Sequence, residues 1–143
     1  MAKNKNYKQT KRGGGGKHVA IYEDMQRTEA WKTLKPSIRA LYVELKRRYN
    51  GSNNGIIILS HRDAGRALNV SHNTVGKWFK ELERRGFIVC VRRHHLGPSG
   101  VGQTSHWRLT EVPSMDRKPA TLEYKSWNEK KTKSPLKNVY TLY

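Results

Sequence analysis

Acidic residues are scarce in this chain: eleven Asp and Glu stand against twenty-nine Lys and Arg. The few carboxylates are also scattered. Asp63 reads as a helix-start residue and Glu81 and Glu83 as surface residues, so the paired acids that a two-metal nuclease needs are missing, and no nucleophile has an evident base beside it. No catalytic step is expected. Cysteine is limited to Cys90, which excludes an internal disulfide and leaves no Cys partner for a structural zinc. A reducing, intracellular setting is the simplest inference. No apolar run approaches the roughly 18 residues of a membrane span, and the opening residues lack the apolar segment of a secretory signal. The expected location is cytoplasmic and nucleoid-associated, with no membrane partner.

What the chain has in excess is positive charge, a formal net +18 over 143 residues. That is far more than solubility requires, and it attracts polyanions: nucleic acid first, an anionic membrane second, acidic proteins third. The length gives room for one domain with a modest core. The opening stretch "MAKNKNYKQTKRGGGGKH" has no acid and four consecutive glycines, the composition of a flexible basic arm. Its "GGGGKH" falls short of a phosphate-binding loop: Lys11 replaces the first glycine, His18 stands where Ser or Thr would meet magnesium, and no apolar strand precedes it.

Between residues 20 and 34 the apolar positions Ile21, Met25, Ala30, Trp31 and Leu34 fit a strand or a short helix. The next segment is an amphipathic helix. In "KPSIRALYVELKRRYNG", Pro36 suits a first turn, and Ile38, Leu41, Tyr42, Leu45 and Tyr49 recur at helical spacing. Arg39, Lys46 and Arg47 fall on a basic outer face, and Gly51 offers a stop. "NGSNNG" reads as a turn and "IIIL" as a short buried strand. Ser60 followed by Asp63 starts a second helix, whose narrow stripe of Ala64, Ala67 and Leu68 lets a neighbour approach closely. Asn69 supplies a left-handed stop, Val70 marks a turn, and Ser71 caps a third helix.

At 100 degrees per residue, Val75, Trp78, Phe79 and Leu82 cluster on one side of this third helix. Asn73, Lys77, Lys80 and Arg84 fall on the other. Gly86 ends it. "FIVCVRR" then reads as a mostly buried strand and "SHWRLT" as a second, around Trp107 and Leu109. The glycine-rich "HHLGPSGVGQT" between them, entered from Arg92 and Arg93, makes the pair a β-hairpin with a basic base.

On these residues, positions 59–110 resemble a winged helix-turn-helix DNA-binding domain. Ala64, Leu68, Asn69, Val70, Ser71, Val75 and Trp78 occupy the small, apolar, turn, apolar, capping and core positions of the helix-turn-helix spacing. "ELERRGFI" followed by a basic hairpin is typical of winged-helix families. The sequence departs from the pattern at Gly65, where alanine is commoner, and at Asn69, where glycine is usual. More loosely, the chain is similar to small winged-helix regulators and replication-initiator N-terminal domains of bacteria, phages and plasmids.

The resemblance implies an α+β fold: a winged helix-turn-helix over residues 20–111, a flexible basic arm over 1–19 and a basic, aromatic-containing extension over 112–143. It also implies that the third helix enters the major groove of double-stranded DNA, with Ser71, His72, Asn73, Thr74 and Lys77 at the base edges. The chemistry suits that task. Asn73 can present a bidentate amide to adenine, Lys77 can donate to guanine, and Ser71 and Thr74 can bond a phosphate or base. Lys80 and Arg84, with Arg92, Arg93, His94 and His95 of the wing, are expected at the DNA backbone. Blander roles stand beside these: Ser71 and Thr74 as caps, Asn73 and Lys77 as a solvated face, Trp78 and Phe79 as core. A metal shared by His94, His95 and His106 is disfavoured, because neighbours on a strand point to opposite faces. No cofactor or metal is expected.

The extension carries Leu122, Tyr124, Trp127, Val139, Tyr140, Leu142 and Tyr143, too many apolar groups for a plain tail. It has three open fates: folding back, pairing with a second copy, or ordering on DNA or a protein partner. The function expected is sequence-preferring duplex DNA binding in transcription regulation. The alternative is a replication-initiator-like or architectural accessory protein acting through a partner bound by the tail.

Overall fold

A computed structural model describes residues 16–93, 95–96 and 102–130. The expectations for residues 1–15 of the arm, for His94, for the hairpin tip at 97–101 and for residues 131–143 lie outside the described residues. The described part is a mixed α+β fold of five α-helices and a small three-stranded antiparallel sheet.

The segment left open between strand and helix forms two one-turn helices, α1 (Glu23–Gln26) and α2 (Glu29–Lys32). Thr28 separates them: its hydroxyl donates to the Met25 carbonyl at 2.6 Å and accepts from the Trp31 amide, closing one turn and capping the next. The long helix α3 (Pro36–Arg47) starts with its proline in the first turn and buries Ile38, Leu41, Tyr42 and Leu45. Lys46 corrects the expected basic outer face. It is 6% exposed and ion-paired with Glu111, which is itself buried and also accepts from the Tyr42 hydroxyl at 2.6 Å.

Strand β1 (Ile57–Ile58) is not buried on both sides as expected. Ile57 and Leu59 point inward while Ile56 and Ile58 face solvent, the alternation of a half-covered sheet. Behind it, Asn54 is buried with its amide donating to the carbonyls of Leu109, Val112 and Pro113, and its oxygen accepts from the Leu109 amide. Helix α4 (His61–Leu68) is capped by Ser60, whose hydroxyl accepts from the Asp63 amide, and it stops at Asn69 with φ 56°. Its packed face is Ala64 and Gly65, and Ala67 of the expected stripe is exposed. Gly65 is a close-approach position: a Cβ there would sit 2.7 Å from the Val70 carbonyl oxygen.

Helix α5 (His72–Arg84) seats Val75, Phe79 and Leu82 in the core, with Trp78 packed partly against it. Gly86 follows at φ 82° and turns the chain into β2 (Ile88–Arg92). Strands β3 (His95–Leu96) and β4 (Gly102–Gln103) pair to extend the hairpin, and β5 (His106–Leu109) returns through the middle of the sheet, in order β1-β5-β2. The end of β2 is not buried as expected. Ile88 and Cys90 pair with the inward Leu109 and Trp107, so alternation puts Val91 on the outer face at 56% exposure, and a bulge lies between Cys90 and Arg92.

Two ring systems fill the interior. Trp31, Tyr42 and Phe87 meet edge to face at 5.7 to 5.9 Å, and His61, Phe79 and Trp107 form a stack at 5.0 Å spacing. The core continues past residue 111: Val112, Tyr124 and Trp127 are buried in it, and a one-turn 3-10 helix (Glu123–Ser126) stacks Tyr124 on Phe87 at 5.3 Å. Of the three open fates of the extension, its described part, up to Trp127, folds back onto the helices. Arg85 fastens it. The guanidinium lies 4.3 Å from the Trp127 ring centroid while donating to Glu81, to the Ala30 carbonyl and to the Thr33 hydroxyl. Among the described residues no helix is long and apolar enough to cross a membrane.

Candidate nucleic-acid interface

The core contacts of α5 decide what its other side can offer. With Val75, Phe79 and Leu82 locked inward, Asn73, Lys77 and Lys80 are held on the solvent side, and Ser71 and His72 are exposed at its start. Among the described residues no hydrogen bond or ion pair engages the side chains of His72, Asn73, Lys77 or Lys80. Ser71 and Thr74 are partly occupied: the Ser71 hydroxyl accepts from the Thr74 amide at 3.2 Å and shares a 2.9 Å hydrogen bond with the Thr74 hydroxyl. Both therefore serve as a cap, whatever else they touch. The remaining amides of the first turn have no intrahelical partner, and the helix dipole there favours an anion.

The second half of α5 behaves differently. Glu81 pairs with Arg84 at 2.6 Å and Arg85 at 2.7 Å, and Glu83 pairs with Arg93 at 2.8 Å. Hydrogen bonding from Arg84, more than any other influence, holds the Glu81 carboxyl below its ordinary 4.5. Arg84, expected at the DNA backbone, is thus engaged within the fold. Its guanidinium is largely covered, tied to Glu81 and 5.6 Å from the Trp127 ring centroid, because that ring arrives from a distant part of the chain. Arg93 remains exposed at 68%, and the hydrogen bond it donates to Glu83 raises its pKa above the ordinary guanidinium value. Its charge is already partly answered.

At the base of the hairpin, Arg92 Nη2 lies 2.9 Å from His106 Nε2, and desolvation, with the Arg92 charge adding to it, lowers the imidazole below its ordinary 6.5. The backbone of His95 pairs with Gln103, and His94 lies outside the described residues. Among the described residues no three His, Cys, Asp or Glu side chains gather to hold a metal.

Two cations that carry no signal in the apolar pattern join the surface. Arg62 and Arg66 project from α4 and line, with Asn69, Ser71 and His72, a shallow open concavity of about 520 Å³ where α4 turns into α5. Their spacing of four residues puts them on one helix face, a signal available in the sequence. Arg66 is 3.5 Å from Asp63, but both are well exposed, so that pair holds little. From Arg62 through His72 and Asn73 to Lys80 the surface offers cations, an amide and first-turn N–H groups, with Asp63 as its acid. Such an array can bind phosphate along its length and hydrogen-bond a planar base edge at its centre. No family model, curated protein or solved structure matches the chain.

Proposed function

We propose that the chain is a winged helix-turn-helix protein that binds duplex DNA with sequence preference and regulates transcription or a related DNA transaction. Helix α5 enters the major groove, α4 crosses the phosphate backbone, and the hairpin of β2 to β5 acts as the wing. The observation that carries this reading is the division of α5: one face is fixed in the core by Val75, Phe79 and Leu82, and the opposite one presents Asn73, Lys77 and Lys80 with no carboxylate partner. A groove about 12 Å wide accepts such a helix, and the amide and ammonium groups match adenine and guanine edges. In this reading Lys80, Arg62, Arg66 and Arg92 meet phosphate, and Arg84 gives up that role.

The test is selection of bound duplexes from a random pool at about 150 mM salt, where loose charge contacts are partly screened. An enriched motif that Asn73→Ala broadens supports base reading. Tight binding at low salt with no enriched motif refutes it and leaves an architectural binder that holds backbone alone.

A further inference from the structure

The sheet has two faces with opposite fates. Inward, Ile57, Ile88, Trp107 and Leu109 are at most 2% exposed against the helices. Outward, Ile56 at 45% and Ile58 at 54% stand in solvent, two residues apart on one face of β1. Val91 of β2, which alternates with the inward Ile88 and Cys90, adds to that side. Met115, 52% exposed, lies over Gly55, where a Cβ would meet its thioether carbon at 3.7 Å. Among the described residues, the other exposed large apolar side chains are Val19 at 37% and Tyr22 at 50%, so the exposed apolar surface is concentrated here. A sheet face meant for water alternates to polar residues, and a gathered apolar patch marks an interaction surface.

The patch also has a shape and a charge. Val91 and Met115 line an open cleft of about 350 Å³ together with Arg108 and Lys118. Asp116, which also lines the cleft and accepts from the Ser114 hydroxyl, is 3.4 Å from Lys118, and Glu123, which accepts from the Thr121 hydroxyl, is 3.6 Å from Arg108. An incoming carboxylate would share these exposed cations with those acids.

Charge selects the occupant. A second copy of this chain would bring a net +18, and residues 131–143 bring Lys131, Lys133 and Lys137 with no acid. Both are repelled by the positive balance of the whole chain, which attracts an acidic segment instead. We infer that the outer sheet face binds an extended, acidic and apolar segment of another protein, its apolar side chains on Ile56, Ile58, Val91 and Met115 and its carboxylates on Lys118 and Arg108. The face lies across the sheet from α5, so the segment is held without displacing whatever α5 binds, and the inference does not depend on the DNA reading.

A displayed library of short random peptides, selected on the full chain, tests this. The expected winners alternate Asp or Glu with Ile, Leu or Phe. Their binding falls about tenfold or more in Ile58→Ser/Val91→Ser and separately in Lys118→Glu, as interface hot spots do. The double variant keeps its thermal melt and its far-UV circular dichroism spectrum. Peptides that are basic or uncharged, winners indifferent to both variants, or no enrichment over the double variant would each overturn the inference. So would a concentration-dependent dimer in sedimentation that the double variant abolishes, since the face would then belong to a second copy.

Discussion

Replacing Gly86 with alanine measures how far the domain depends on the chain that follows β5. At φ 82° the new side chain meets the left-handed penalty of about 1 to 2 kcal/mol. Its methyl would also stand 2.9 Å from the carbonyl carbon and Cβ of Glu123 and the amide nitrogen of Tyr124. Two of those atoms are backbone and cannot rotate aside, so the 3-10 turn must lift from the core. Tyr124, 2% exposed and stacked on Phe87, would lose burial worth about 1.5 to 3 kcal/mol for a large side chain. Gly51 is the control. Its φ of 96° carries the same backbone penalty, but a Cβ there meets nothing within 4 Å. Equilibrium urea unfolding followed by far-UV circular dichroism should show Gly86→Ala less stable than Gly51→Ala by about 1.5 to 3 kcal/mol, and trypsin should cut faster at Lys125 in the first variant. Equal losses within about 0.5 kcal/mol would refute the argument that the returning segment presses on Gly86.

Gly65→Ala should lower the melting temperature although alanine is the better helix former by about 1 kcal/mol, because the Cβ overlaps the Val70 carbonyl; a raised melting temperature would remove the close approach from the account. Lys46→Met leaves the buried Glu111 carboxylate without its cation and should cost about 3 to 5 kcal/mol in urea unfolding. Adding Glu111→Gln should restore part of that loss, and strictly additive losses would contradict the coupling. Because Glu81 is held below its ordinary 4.5 in the folded chain, its contribution is complete above that pH and is lost as pH falls through the lower folded value. Glu81→Gln should therefore flatten the stability curve below about pH 4.5 in a series of melts, and an unchanged acid slope would count against the Arg84 and Arg85 pairing. On DNA, Asn73→Ala or Lys77→Ala should relax discrimination by about 1 to 3 kcal/mol per lost base contact. Arg62→Ala or Lys80→Ala should instead weaken binding to all duplexes and shrink the salt slope by about one. Equal losses on selected and random duplexes from Asn73→Ala would argue against base contact.

Local signals carried well wherever the decisive contact is local. The division of α5 follows from 100-degree spacing, and the Ser60, Asn69 and Ser71 termini follow from side chains that cap their own helices. What was illegible depends on partners distant in the chain. Lys46 reads as a surface cation until Glu111, sixty-five positions away, meets it. Arg84 reads as a phosphate contact until Trp127 covers it. Ala67 counts as apolar in any periodicity, whereas the packed position of α4 is Gly65, chosen for the absence of a side chain rather than for hydrophobicity. Val91 reads as part of a mostly buried strand, and which face of that strand is covered depends on the pairing of Ile88 and Cys90 with Leu109 and Trp107. Arg62 and Arg66 escape a search that follows apolar stripes, since their role comes from the concavity they border.

The Arg85 and Trp127 contact changes what counts as the protein's boundary. A chain cut after Glu111 would leave the Arg85 guanidinium without its aromatic cover, open the wall over Phe87 and strip Gly86 of the neighbour that explains it. Such a fragment would keep every residue proposed to read DNA and still lack part of the frame that aims them. Trimming for crystallisation or for fusion to another domain should therefore stop no earlier than Trp127, even though the sequence from Pro113 to Ala120 looks like a linker. The part of this chain that resembles a tail is the part that closes the domain.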